Sequence, residues 1–197
     1  MLVLLAALVL GLAVGYARGG RLENIRHLEL RFAWLVFVAL ALQLIAFSPL
    51  RDQLGSAGVI ALHLVSYGIL LAFAGLNIRS PGVVIAAVGV ALNGLAIAVN
   101  GGYMPAARRA LSSAGRLYAS DTDNNSRIAD AHTRLRFLCD MFAVPHGVPL
   151  ANVFSLGDVF VTIGVAIVLG GAMSAQPKLE QGSEARPDPA GEPARRR

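Results

Sequence analysis

Asp158 is the residue best placed in this sequence to do chemistry, because the stretch 150–171 sets it at the mouth of an otherwise apolar helix. A carboxylate partly withdrawn from water holds its proton more tightly, which suits it to proton exchange with a bound molecule. An acid inside a membrane segment is also costly, and such residues usually mark a site. A second reading needs no chemistry. Ser155-Leu-Gly-Asp158 has the spacing of a capping box, in which the serine hydroxyl accepts from a first-turn amide and the acid three residues on accepts from the cap amide. A carboxylate there also meets the positive end of the helix dipole. The two roles are compatible, and the sequence leaves both open.

Other polar residues within apolar runs are few: Gln43, His63 with Ser66 and Tyr67, Asn93, and Thr162. Their cost in hydrocarbon requires them to face other helices, as hydrogen-bonding partners or as ligand groups. His63 and Tyr67 share a helical face, as do Gly89 and Asn93, with Asn100 a further heptad along. His132, Cys139 and His146 recur every seven residues. Pro145 and Pro149 break any helix that would align them and no fourth ligand is fixed, so no metal or other cofactor is expected. Asp121, Asp123 and Asn125 imitate the opening of a calcium loop, but Ser126 and His132 stand where that loop needs glycine and glutamate.

The elements that position these residues are membrane helices. Across 197 residues, 55% are hydrophobic and 15% charged, which is too apolar for an ordinary soluble domain. The fold class expected is all-α: a polytopic bundle of five transmembrane helices over about 2–17, 32–47, 57–76, 82–99 and 153–172, each near the roughly 20 residues that span a bilayer. Continuous apolar runs exclude barrel strands, which alternate with period two. An outer cap of helix and loop over 101–150 completes a membrane domain, 1–175. Within it 105–114 is expected as a helix with Pro105 in its first turn, and 133–142 as an interfacial segment. Residues 176–197, rich in proline, glycine, glutamate and arginine, are expected to be a disordered cytoplasmic tail. The arginines lie between apolar runs instead of lining one face, so they set topology and meet lipid headgroups, and nucleic acid is not a partner. No basic residue precedes the first run and Arg18, Arg21, Arg26 and Arg31 follow it, which predicts an uncleaved span with the amino terminus outside and the carboxyl terminus inside the plasma membrane. Gly11, Gly15 and Gly19 make a smooth strip on the first run, for packing within the chain or for a partner helix.

Three motifs, Asn100-Gly-Gly-Tyr-Met-Pro105, Thr133-Arg-Leu-Arg-Phe-Leu-Cys-Asp140 and Pro149-Leu-Ala-Asn-Val-Phe-Ser-Leu-Gly-Asp158, resemble an uncharacterised bacterial multi-spanning membrane family, a domain of unknown function of the 5317 type. That likeness runs from the first span through the fifth and implies the fold without an activity. Phe154-Ser-Leu-Gly-Asp158 is also similar to the Phe-Asn-x-Ala-Asp that opens the last span of lipoprotein signal peptidase, an aspartyl enzyme. That likeness implies an intramembrane hydrolase in which Asp158 is catalytic. The family's second aspartate, in Asn-x-x-Asp-Arg, has no counterpart at the end of the fourth run, and Asp140 is the nearby acid able to replace it if the proline-rich segment folds it back. Two functions are therefore expected to compete. One is binding of a lipid, a membrane peptide or a partner helix in an outer pocket lined by Asn93, Asn100, Tyr103 and Ser155. The other is hydrolysis by Asp140 and Asp158.

Overall fold

The computed structural model describes residues 2–116 and 126–175. The calcium-like stretch 121–125 and the tail 176–197 lie outside the described residues. Six α-helices occur among those described: α1 (Leu2–Ala17), α2 (Trp34–Ala46), α3 (Arg51–Leu76), α4 (Pro81–Val99), α5 (Arg108–Ser113) and α6 (Leu156–Ser174). Four three-residue strands join them: β1 (Met104–Ala106), β2 (Ser126–Ile128), β3 (Phe142–Val144) and β4 (Asn152–Phe154). Residues 52–76 of α3, all of α4 and all of α6 are long and apolar enough to cross a membrane, whereas α1 and α2 are apolar but shorter. Of the apolar windows, only 22% in α3 and 33% in each of α4 and α6 is buried. The outward faces are therefore greasy, a pattern that suits a bilayer and would be a liability in water.

The helices stand in the order α1, α6, α4, α3, α2, each touching the next. The seam between α4 and α6 is built by glycines one heptad apart on both helices. A Cβ on Gly82 would meet the Gly164 carbonyl oxygen at 2.7 Å, and one on Gly89 would meet the Val161 nitrogen at 2.7 Å. Backbones thus touch where side chains would otherwise hold them apart, and the rising numbers on one helix face falling numbers on the other, so the pair is antiparallel. On the far side of α6, Gly11 faces Leu169 and Gly15 faces Met173, which makes α1 parallel to α6. The expected glycine strip is thus used within the chain at Gly11 and Gly15, while a Cβ on Gly19 would meet nothing within 4 Å.

Polar residues tie the remaining joints. Gln43 of α2 donates to Ser66 of α3 at 3.0 Å, and Ser66 donates to the His63 carbonyl at 2.6 Å. The His63 ring sits edge-on to Phe47 and Tyr67, with centroids 4.9 and 5.3 Å away. At the opposite end of the bundle, Asn24 and the Arg21 amide both donate to the Met173 carbonyl, at 2.8 and 2.9 Å. Asn77 donates to the Phe73 and Arg31 carbonyls and accepts from the Arg31 amide, between 2.8 and 2.9 Å. The α1–α2 connection, which includes a 3-10 turn over Leu22–His27, is thereby pinned to α6 and to α3.

Two boundaries depart from expectation. Gly55 (φ 65°, ψ 170°) interrupts α3, so its regular run begins close to the expected 57. The last apolar run was expected from 153, but 153 and 154 are strand and α6 starts at Leu156, because Ser155 is extended (φ −103°, ψ 171°) and caps it.

The α4–α6 seam leads to the first prediction. Gly157→Ala puts a methyl onto the Asn93 carboxamide and 2.7 Å from the Gly89 carbonyl oxygen, an overpacking expected to cost about 1–3 kcal/mol. Gly75→Ala, which meets nothing within 4 Å, is expected to leave stability unchanged or slightly raised. Thermal unfolding of the two variants in detergent compares them directly; equal melting points would mean that the seam is not closely packed.

Candidate functional site

The first turn of α6 carries a closed ring of hydrogen bonds. Asp158's amide donates to the Ser155 hydroxyl at 3.0 Å, and the Ser155 amide donates to Asp158 Oδ2 at 3.0 Å, which completes the capping box. Asn93 of α4 then joins both residues. Its Nδ2 donates to Asp158 Oδ1 at 2.8 Å, and its Oδ1 accepts from Ser155 Oγ at 2.7 Å. Asn93 and Ser155 are buried. Gly157 permits the closure, since a Cβ there would lie 2.6 Å from Asn93 Cγ. Each carboxylate oxygen of Asp158 accepts one fixed N–H donor, so its negative charge is held in place.

Asp140 is delivered to the same end of the bundle by the cap. Gly101 (φ 72°) and Gly102 (φ 88°) turn the chain off α4 in conformations that favour glycine. The following β1 pairs in parallel with β2 and bridges to Asp140 through Ala106. Asp140's amide donates to the Pro105 carbonyl at 3.0 Å and its carbonyl accepts from the Ala107 amide at 2.9 Å. Beyond it, β3 and β4 pair antiparallel with Phe142 opposite Phe154. Asp140 therefore precedes one leg of a β-hairpin and Asp158 follows the other.

The hairpin brings the acids within electrostatic reach. Asp140 is 8% exposed. Burial first and the Asp158 charge second push its pKa up to about 7. Tyr67 of α3, packed over Gly94 with its Cδ1 3.1 Å from where a Cβ would stand, feels both carboxylates. The outcome is a pair of acids in unlike settings: Asp158 clamped by two N–H donors, and Asp140 able to hold a proton near neutrality.

The remaining expected site residues are positioned differently. Asn100 clamps the cap backbone, accepting from the Arg134 amide at 2.8 Å and donating to the Arg134 carbonyl at 3.0 Å and the Ala96 carbonyl at 2.8 Å. The clamp adjoins Leu135, held at φ 48° and ψ 46°, a conformation costly for a bulky residue. It allows Leu138 to pack on Ala96, Ile97 and Met104, two residues ahead of Asp140. Tyr103 lies beneath Arg127, whose guanidinium carbon is 3.5 Å from the ring centroid. Pro105 belongs to β1 and not to a first helical turn, because its carbonyl is taken by Asp140; the short helix starts at Arg108.

Among the described residues no three of His, Cys, Asp and Glu gather as metal ligands. His132 closes an Asx turn on Asp130 at 2.9 Å, Cys139 is buried, and His146 packs over Gly115. Burial pushes the Cys139 thiol up, away from the thiolate form that reacts. Sequence reasoning did not connect Tyr67 with the carboxylates or find Asn24 and Asn77. Asn77 had a signal, being a polar residue one position beyond a long apolar run.

A family of unknown function, DUF5317, matches residues 27–169. The chain belongs to that family. The matched segment holds α2 through most of α6, together with Asn93, Asp140, Ser155 and Asp158, and α1 lies before it. It carries the family but neither a bacterial source nor the likeness to lipoprotein signal peptidase. No curated protein and no solved structure matches the chain.

The raised Asp140 gives a pH prediction whose sign can be worked out. Folded, the group holds its proton up to about 7, against 3.8 for the free side chain. Between those values the folded protein binds more protons, so stability falls as pH rises from about 4 to about 7. The loss is at most about 4–5 kcal/mol, at ~1.4 kcal/mol per unit. Melting curves across that range are expected to show wild type losing stability relative to Asp140→Asn as pH rises; parallel curves would mean that Asp140 ionises like a free aspartate.

Proposed function

We propose that this is a multi-pass plasma-membrane protein of five spans, α1 and α2 crossing as short helices, that binds a lipid, a membrane peptide or a partner helix. The site lies in the outer leaflet, between the cap 101–150 and the outer ends of α4 and α6. One observation carries the reading: Asp140, only 8% exposed, stands at the cap end of α6 with its proton affinity raised by burial and by the charge of Asp158. A carboxyl withdrawn from most water is a natural anchor for a ligand's donor. Asp158 supplies a fixed negative charge beside it. Asn93 and Ser155 hold that charge, and Asn100 holds the cap above it.

The raised proton affinity of Asp140 favours a second reading, aspartyl hydrolysis of a membrane peptide, with Asp140 as the proton donor and Asp158 as the carboxylate that orients water. The first reading is preferred because both Asp158 oxygens are already engaged in the helix cap and the Asn93 bond.

Native mass spectrometry of protein extracted in mild detergent separates the two. Binding predicts a retained lipid or peptide in wild type, lost in Asp140→Leu and weakened in Asp158→Asn, with circular dichroism showing all three folded. Hydrolysis predicts that Asp140→Asn and Asp158→Asn each abolish cleavage of a lipidated peptide in proteoliposomes. Neither retention nor cleavage in wild type would remove both readings.

The proposed topology is tested by labelling intact cells with an impermeant thiol reagent, using single cysteines in a Cys139→Ala background. Ser112→Cys in the cap is expected to label and Ser183→Cys in the tail to label only after permeabilisation. The opposite pattern would invert the orientation.

A further inference from the structure

The two faces of the β3–β4 hairpin have different surroundings. Ala143 stands opposite Val153, and this face packs on Ala106 of β1 and on Ala110, Leu111 and Ala114 around α5. Alternation along a strand sends Phe142 and Phe154 to the other side, where their rings stack at 5.4 Å. There Phe142 is 48% exposed and Phe154 is half-buried against it, and in the connection between the strands Val148 and Leu150 are 49% and 48% exposed. Because Ala143 and Val153 are packed inward, Phe142 cannot turn into the core without displacing them.

Two observations say what covers them. The first is continuity, since β4 ends at Phe154 and α6, one of the three helices able to cross a membrane, begins at Leu156. The exposed face therefore runs directly into a lipid-facing surface. The second is charge. Arg116 is tied to the hairpin through Asn152 Oδ1 at 2.8 Å, and Arg134 and Arg136 are exposed on the segment leading into it. Aromatic and aliphatic side chains edged by arginine match the boundary between acyl chains and phosphates.

We infer that the outward face of the 142–154 hairpin is seated in the leaflet on the cap's side, with Phe142, Phe154, Val148 and Leu150 among acyl chains and Arg116, Arg134 and Arg136 at the phosphates. The docking does not rest on what the carboxylates do, and its test leaves Asp140 and Asp158 unchanged.

Tryptophan fluorescence tests it, since Trp34 is the only tryptophan and Trp34→Phe removes the background. Phe142→Trp and Val148→Trp replace exposed residues, so each is expected to fold. The variants are reconstituted in phosphatidylcholine–phosphatidylglycerol vesicles with and without chain-brominated lipid. Expected are blue-shifted emission, quenching by the brominated lipid and protection from aqueous iodide at both positions. Iodide quenching without bromolipid quenching would place the hairpin in water and overturn the inference. Blue-shifted emission indifferent to both quenchers would instead show a second copy or another protein on this face, and would overturn it equally.

Discussion

The structure depends on one requirement, that a polar group withdrawn from water be paired. Where α4 and α6 meet, the requirement is satisfied by a ring in which Asn93, Ser155 and Asp158 use one another's donors and acceptors. The ring forms only because glycine at 89 and 157 lets the two backbones approach. Seam and ring are thus a single construction, with small residues granting the distance and polar ones fixing the register. Asparagine does similar work elsewhere. Asn100 ties the cap to α4, while Asn24 and Asn77 tie the first connection to α6 and α3. Side-chain amides, offering both donor and acceptor without charge, suit joints at the ends of apolar helices.

The same requirement separates the two acids. Asp158 has its pairing within the protein, from the Asn93 side chain and the Ser155 amide. Asp140 has a backbone held on both sides by β1 and a carboxyl withdrawn from most of the water. Its altered proton affinity follows from that unequal treatment, and the hairpin linking the two residues makes the inequality a property of one short stretch of chain.

Much of this was legible in the sequence where periodicity or fixed spacing carries information. Long apolar runs announced α3, α4 and α6, and Ser155 with Asp158 announced the capping box, because serine followed three residues later by an acid serves few other purposes at a helix start. Gly89 and Asn93 were assigned to one face from their spacing. The strands were not legible. Three residues are too few to alternate, and Pro105 before an arginine-bearing stretch is as typical of a first helical turn as of the strand it joins. Left-handed Leu135 gave no sign at all, since its conformation is imposed by Asn100 bonding to Arg134 on the preceding residue. Asn24 and Asn77 lay in connections, where composition says little about tertiary partners.

The position of α6 between α1 and α4 has a consequence for biosynthesis. Among the described helices it is the last to be made, yet it supplies both the parallel seam with α1 and the antiparallel seam with α4. Until translation reaches it, the faces of α1 and α4 that pack on α6 have no partner from it. The bundle is therefore completed by a central helix made after both its neighbours, and a chain halted before residue 156 would leave both glycine seams open along its middle.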